Sequence, residues 1–71
     1  MKWRALVAVL ERAPLNYRLV RQTGSHARYE SDSYPPITIA PHSPDTIPPG
    51  LVRKILTKDV GLSVDEALAL L

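Results

Sequence analysis

Seven prolines limit where this 71-residue chain can form regular structure. They lie at Pro14, at the pair 35–36, and in a group of four between positions 41 and 49. A proline removes a helical hydrogen bond and disfavours helical geometry in the residue before it. Helices and strands are therefore expected between these positions, with prolines at their ends.

The length and composition exclude several classes of protein. The chain has room for one domain, residues 1–71, and a domain this small buries only about 60% of its unfolded surface, so a large enclosed cofactor cavity is not expected. There is no cysteine, which excludes disulfides, thiolate metal sites and cysteine nucleophiles. No apolar run reaches the ~18 residues of a membrane span, and the basic, apolar start is typical of an amphipathic helix rather than a signal sequence. A cytoplasmic protein is expected.

Charge is distributed unevenly along the chain. Residues 1–30 carry a net charge of +4 and residues 31–71 a net charge of −2. The first part could therefore face a polyanion such as RNA. On charge alone, an ordinary charged surface is the favoured interpretation.

Two segments have the apolar spacing of amphipathic helices. The first covers residues 2–13 and ends before Pro14. The second begins at about Pro48, since prolines are tolerated in a first helical turn, and ends at Gly61. Their predicted apolar stripes are Trp3, Leu6, Val7 and Leu10 in the first, and Leu51, Val52, Ile55 and Leu56 in the second.

A third helix is predicted from its N-terminal capping pattern. Ser63 and Glu66 have the spacing of a capping box, in which each side chain accepts a hydrogen bond from the other residue's backbone N–H. This helix is expected to run to Leu71, with Leu68 and Leu71 on one face.

Three segments are predicted to be strands. Residues 17–22 and 26–30 alternate in polarity and are joined by a tight turn at 23–25, where Gly24 can adopt positive φ. Residues 37–39 are a β-branched strand that ends before Pro41. The predicted order is helix, three antiparallel strands, helix, short helix. This is an α+β fold whose sheet has helices packed on one face and leaves the other face free.

Strand periodicity predicts which side chains share a face. The predicted groups are Ala27 with Tyr29, His26 with Arg28 and Glu30, Tyr17 with Leu19, and Arg18 with Val20. Trp3 and Tyr17 are predicted to be core residues. Tyr29 is also assigned to the core, with a base-stacking platform as the alternative.

His26 is the candidate catalytic residue. It follows the Gly–Ser turn, with Arg21 and Gln22 across the hairpin and Arg28 two residues on. An imidazole can move a proton near neutral pH, and arginines can hold a phosphate. RNA supplies its own nucleophile, the 2′-hydroxyl. Residue types alone leave the alternative of a structural or surface histidine open.

Other candidates carry weaker signals. His42 is interpreted as a loop histidine, with a second contact near the same site as the alternative. Arg53, Lys54 and Lys58 could contact phosphates or form a solvated helix face. No metal-ligand spacing and no phosphate-binding glycine loop is present.

The run Arg21-Gln22-Thr23-Gly24-Ser25-His26-Ala27-Arg28-Tyr29 resembles the signature of the HicA toxin family of messenger-RNA interferases. The resemblance continues in Ile37-Thr38-Ile39-Ala40-Pro41-His42, in Gly50-Leu51-Val52-Arg53-Lys54-Ile55-Leu56, and in residues 61–66 with Leu70-Leu71. These blocks follow the family order over nearly the whole chain.

The resemblance implies a fold like a double-stranded-RNA-binding domain and RNA cleavage without a metal or other cofactor. It places His26 at the family's catalytic histidine. Residues expected to contact RNA are Arg21, Gln22, Ser25, Arg28 and Lys54. The implied partners are messenger RNA and a HicB-type antitoxin, and no membrane. The alternative is a non-catalytic RNA- or protein-binding module of the same fold.

Three departures from the family pattern affect element boundaries. Asn16-Tyr17 stand where the family has glycine and an aromatic residue, and Asn tolerates left-handed φ better than most residues. Pro14-Leu15 lengthen the same junction. Leu51 replaces a threonine that would cap the second helix, so Thr46 or the prolines must begin it instead.

Overall fold

The computed structural model describes residues 1–41 and 46–71. Its first element is helix α1, Trp3–Glu11. The helix ends two residues before the predicted limit because the chain turns extended at Arg12, ahead of Pro14. Its buried residues are Trp3, Leu6, Val9 and Leu10, so Val9 takes the place predicted for Val7, which is half-buried.

The junction after α1 is closed by backbone hydrogen bonds. The N–H of Asn16 donates to the carbonyl of Arg12 at 3.0 Å, and that of Tyr17 to Leu10 at 2.8 Å. Asn16 has φ 52°, which is the left-handed conformation expected of it. The longer junction places Leu15 in the core, where it is fully buried.

Three strands follow: β1, Arg18–Thr23; β2, His26–Glu30; and β3, Ile37–Ile39. They form one antiparallel sheet in the order β1-β2-β3. A two-residue turn joins β1 to β2, and Gly24 adopts φ 60° there, a conformation strained for side chains with a Cβ. β2 and β3 have the predicted bounds, and β1 begins and ends one residue later than predicted.

A β-bulge interrupts β1 at Val20. Leu19 pairs with Tyr29 and Arg21 pairs with Arg28, which leaves Val20 as the extra residue. The predicted alternation along residues 17–22 is therefore correct before the bulge and shifted by one residue after it.

Helix α2, Pro49–Lys54, begins without a side-chain cap. The carbonyl of Pro48 accepts hydrogen bonds from the N–H groups of Leu51 and Val52, at 3.0 and 3.2 Å. The prolines therefore begin this helix. Thr46 instead forms an isolated antiparallel bridge with Lys2.

The helix continues as a π-helical segment, Ile55–Asp59, which the apolar spacing did not predict. The segment ends at Asp59, and Gly61, which was predicted to stop the helix, follows two residues later with φ 94°. The N–H of Leu62 then donates to the carbonyl of Leu56 at 3.0 Å, which satisfies one of the carbonyls left at the helix end.

Helix α3, Val64–Leu70, begins with the predicted capping box. The N–H of Glu66 donates to Ser63 Oγ at 3.1 Å, and the N–H of Ser63 donates to Glu66 Oε1 at 2.9 Å. The backbone N–H of Ser63, and after it the Ser63 hydroxyl, hydrogen-bond to the Glu66 carboxyl and hold its pKa below the usual value. At the other end of α3, the guanidinium of Arg12 donates to the carbonyl of Leu70 at 2.9 Å.

The core lies on one face of the sheet. Ala27, Tyr29, Ile37 and Ile39 point into it from the strands, and α1, α2 and α3 supply the facing side chains. Trp3, Tyr17 and Tyr29 are buried, which confirms their assignment to the core. Tyr17 Oη donates to the carbonyl of Pro35 at 2.6 Å, and burial raises the pKa of Tyr17 and Tyr29. The α+β class and the element order α-β-β-β-α-α are confirmed.

Candidate functional site

The uncovered face of the sheet collects polar side chains from all three strands. Register pairs Thr23 with His26, and it sets Arg21, Arg28 and Thr38 in one row across the sheet. We call these five residues the open face. Directly opposed residues in such pairs have Cβ atoms about 4.5–5.5 Å apart, and diagonal neighbours about 7–8 Å. Arg21 and Arg28 are therefore both within side-chain reach of a group bound at His26.

His26 is an exposed residue at the start of β2, immediately after the turn. Gly24 allows the chain to reverse in two residues, and this fixes His26 at the end of the hairpin. In residues 1–41 and 46–71, the His26 ring forms no ion pair with a carboxylate. An exposed imidazole in this position can approach a large ligand without a change in the backbone.

The arginines of the hairpin differ in their partners. Arg28 Nε lies 3.2 Å from Glu30 Oε2, and Arg18 lies 3.4 Å from Asp32 Oδ1. In the part of the chain that the structure describes, Arg21 forms no such ion pair. Since exposed ion pairs of this kind are weak, Arg28 can exchange Glu30 for a phosphate, whereas Arg21 has no carboxylate to release.

Two of the predicted RNA contacts are not among the five open-face residues. Gln22 pairs with Ala27 and therefore lies on the covered side of the sheet, where it lines a shallow depression beside Trp3 and Arg4 of α1. Lys54 belongs to α2, in the helical layer, and its Nζ lies 3.5 Å from Asp59 Oδ1. Gln22 therefore adds no hydrogen-bonding group to the open face. Lys54 lines a depression at the edge of β3 together with Thr38, which belongs to the open-face row.

The other predicted site residues are brought together. His26, Arg21 and Arg28 lie on the open face, and Ser25 is exposed in the turn beside them. Thr23 and Thr38 also lie there, although neither was a candidate from the sequence. The register of the hairpin could have found Thr23, because a two-residue turn makes it the partner of His26. His42 lies outside the described residues.

No group of three or more histidine, cysteine or acidic side chains in residues 1–41 and 46–71 is arranged to hold a metal ion. None of the helices found in these residues has the length and apolar character needed to cross a bilayer.

A model of the family described as the HicA toxin of bacterial toxin–antitoxin systems matches residues 3–62, well over half of the chain. The chain belongs to the HicA toxin family. Membership makes it the toxin component of a toxin–antitoxin system, and it confirms the family resemblance of the sequence. The matched span includes α1, the whole sheet and the open face, and it ends before α3. Searches of curated proteins and of solved structures found no significant match.

Proposed function

We propose that this HicA-family toxin is an endoribonuclease that cleaves messenger RNA without a metal cofactor, with His26 as its catalytic residue. The observation that carries the proposal is the exposure of His26 on an uncovered sheet face, in register with Thr23 and beside the row that contains Arg21 and Arg28. This arrangement offers a proton-transfer group and two cations to one phosphodiester.

The chemistry needs no nucleophile from the protein. The 2′-hydroxyl of the RNA attacks the adjacent phosphorus, the bond from phosphorus to the 5′-oxygen breaks, and a 2′,3′-cyclic phosphate remains. His26 acts as general base or general acid, taking the proton from the 2′-oxygen or giving one to the leaving 5′-oxygen, and solvent water exchanges the other proton. Arg21 and Arg28 stabilise the negative charge that develops on the phosphoryl oxygens.

The open face is also the surface on which RNA and an antitoxin partner would bind. The open face is polar and accessible, so a backbone phosphate can reach it without entering a cavity. We propose that a HicB-type antitoxin neutralises the toxin, and that both act in the cytoplasm. A HicB-type protein that reduces cleavage by the purified toxin in proportion to its concentration would support this pairing.

The proposal is tested by cleavage of RNA by the purified chain. The native chain is expected to produce fragments that end in a 2′,3′-cyclic phosphate, in buffer that contains a chelator. His26→Ala is expected to bind the same RNA and produce no fragments. An RNA with a 2′-deoxy residue at the cleaved position is also expected to remain intact, because it lacks the nucleophile.

Two further variants serve as controls. Gln22→Ala changes a neighbouring residue on the opposite face of the sheet and is expected to leave cleavage unchanged. His42→Ala removes the second histidine and distinguishes a mechanism with one histidine from one with two. Cleavage by His26→Ala at the native rate would rule out His26 as the catalyst. RNA binding by the native chain without any fragments would favour the non-catalytic module.

A further inference from the structure

A second surface of the molecule is apolar and lies away from the open face. Of the exposed large apolar side chains in the described residues, four line one groove between α2, with its π-helical continuation, and α3: Met1, Val64, Leu68 and Leu71. Val52 and Leu56 also line this groove, and its volume is about 410 Å³. We call it the helical groove. Leu68 is 63% exposed, the most of these four side chains.

The helical groove is not explained by the proposed RNA site. Its lining contains no residue of the sheet. The α3 helix that forms one of its walls follows Leu62, where the match to the HicA family model ends. Contiguous exposed apolar surface of this kind commonly marks an interaction site.

The wall of the groove is held in place at both ends. The Ser63–Glu66 capping box fixes the first turn of α3. The hydrogen bond from Arg12 to the carbonyl of Leu70 attaches its last turn to the end of α1. An apolar surface that is fixed in this way loses little conformational entropy when a partner covers it.

We propose that the helical groove is an interface between two copies of this chain, in which α3 of each copy lies in the groove of the other. Val64, Leu68 and Leu71 follow the i, i+4, i+7 spacing of a helix that docks into an apolar groove. A two-fold arrangement uses the same patch on both copies, so the groove and the helix that fills it are present on each chain.

Charged side chains beside the helical groove also favour a second copy of the chain as its occupant. Arg53 lines the groove on the α2 side, and Asp65 lies in the first turn of α3 beside the apolar stripe. Glu66, the other acidic residue of that turn, is engaged in the capping box. A second copy therefore brings a helix with an acidic flank to a groove with a basic rim, and it does so twice.

The expected dimer is weak. A standard interface buries about 800 Å² on each partner, and the whole chain exposes 4480 Å². One short helix and one groove supply less than a standard interface, so we expect a dissociation constant in the micromolar range. The dimer leaves the open face uncovered and does not depend on RNA cleavage.

The test is sedimentation equilibrium of the purified chain from low micromolar to near-millimolar concentration, with His26→Ala in every sample to avoid toxicity during expression. The parent chain is expected to form a dimer reversibly. Leu68→Glu is expected to raise the dissociation constant at least about tenfold, because each dimer would bury two carboxylates. Leu19→Glu is the matched control, since Leu19 is 47% exposed but lies on β1, and it is expected to leave the dimer unchanged.

A charge exchange keeps the test valid if Leu68→Glu fails to fold. Arg53→Asp and Asp65→Arg are each expected to weaken the dimer severalfold, and the double variant is expected to restore it. A parent chain that stays monomeric at all concentrations would overturn the proposal. So would equal weakening by Leu19→Glu and Leu68→Glu, or a double variant as weak as the two single ones.

Discussion

Arg21 and Arg28 both lie on the open face, but they differ in whether an ion pair must break before they bind a phosphate. Arg28 leaves its ion pair with Glu30, whereas no ion pair is found for Arg21 in the described residues. A charge-assisted hydrogen bond contributes about 1.5–3 kcal/mol. The cation that needs no rearrangement is therefore expected to make the larger contribution to RNA binding.

We predict that Arg21→Ala lowers kcat/KM for RNA cleavage about tenfold to a hundredfold, because it removes one such hydrogen bond. The slope of log affinity against log salt concentration should fall by about 1, the share of one phosphate contact. Glu30→Gln should raise RNA affinity, since it frees Arg28 and removes a negative charge. Single-turnover cleavage and filter binding over a range of salt concentrations measure these effects.

Arg53→Ala is the control for this series, because Arg53 is an exposed cation on α2 rather than on the open face. It should change neither the cleavage rate nor the salt slope by as much as Arg21→Ala. If the two arginine variants behave alike, general attraction between the basic chain and RNA explains the binding, and Arg21 has no specific role.

Strand β1 combines two strand registers that differ by one residue. Tyr17 and Leu19 have the alternation of a strand that faces the core, whereas the turn fixes Thr23 opposite His26 and Arg21 opposite Arg28. Without an extra residue these two registers conflict, because a shift of one residue moves a side chain to the other face. The bulge at Val20 allows both.

We predict that deletion of Val20 preserves the hairpin and RNA cleavage. The deletion joins Leu19 directly to Arg21, and both keep their partners, Tyr29 and Arg28. Deletion of Gln22 is the contrasting variant, because it moves Arg21 to the position opposite Ala27, on the covered face. It should reduce cleavage at least as much as Arg21→Ala. Cross-strand nuclear Overhauser effects identify the partner of Arg21 in each variant.

One outcome of the two deletions would contradict this explanation of the bulge. If the Val20 deletion keeps the contact between Arg21 and Arg28 and still loses cleavage, then the bulge contributes by its shape and not by reconciling two registers. Bulges do commonly lie beside functional sites.

Local signals predicted most of these elements, and the exceptions depend on tertiary structure. Gly24, Gly61, Ser63 and the prolines act on their own neighbours, so turns and helix ends could be predicted from them. The bulge at Val20 could not, since it reconciles the turn with core packing far along the strand. The π-helical segment was also missed, because its apolar residues fit ordinary helical spacing. Gln22 was expected to contact RNA because it lies across the hairpin from His26, and the register instead pairs it with Ala27 on the covered face.

The capping box makes the stability of α3 depend on pH. Because the folded-state pKa of Glu66 is lowered, its contribution to stability is complete above the ordinary value of 4.5 and is lost as the pH falls through the folded-state pKa. We predict that amide protection in α3 decreases as the pH is lowered from 5 into the acid range. Glu66→Gln keeps an acceptor and should remove this dependence, and Ser63→Ala should destabilise the helix by about 1 kcal/mol at all pH values. Hydrogen exchange followed residue by residue measures each effect.

The hydrophobic core and the candidate functional site lie on opposite faces of the three-stranded sheet. In the described residues, no charged side chain and no polar one other than the tyrosines is buried. The radius of gyration is 11.2 Å, close to the roughly 11 Å of a compact chain of this length. The open-face side chains are excluded from the core, so substitutions there should change function without changing stability.

Core substitutions should behave in the opposite way. A chain of this length has a total stability of roughly 4–10 kcal/mol. Leu6 is fully buried in α1, and replacing such a leucine with alanine costs about 2–5 kcal/mol. We predict that Leu6→Ala lowers Tm by at least about 8 °C, whereas His26→Ala leaves Tm nearly unchanged. Differential scanning calorimetry of the purified variants measures both.

Growth arrest in cells then distinguishes the loss of the proposed catalytic group from the loss of folded protein as the cause of lost toxicity. His26→Ala should be harmless and accumulate as folded protein, since it lacks only the proposed proton-transfer group. Leu6→Ala should be less toxic in proportion to its lower abundance, because a larger unfolded fraction is exposed to proteases. Toxicity of Leu6→Ala should therefore recover at lower growth temperature, and that of His26→Ala should not. If cooling restores both variants equally, His26 matters for folding, and the open face is not where the toxin acts.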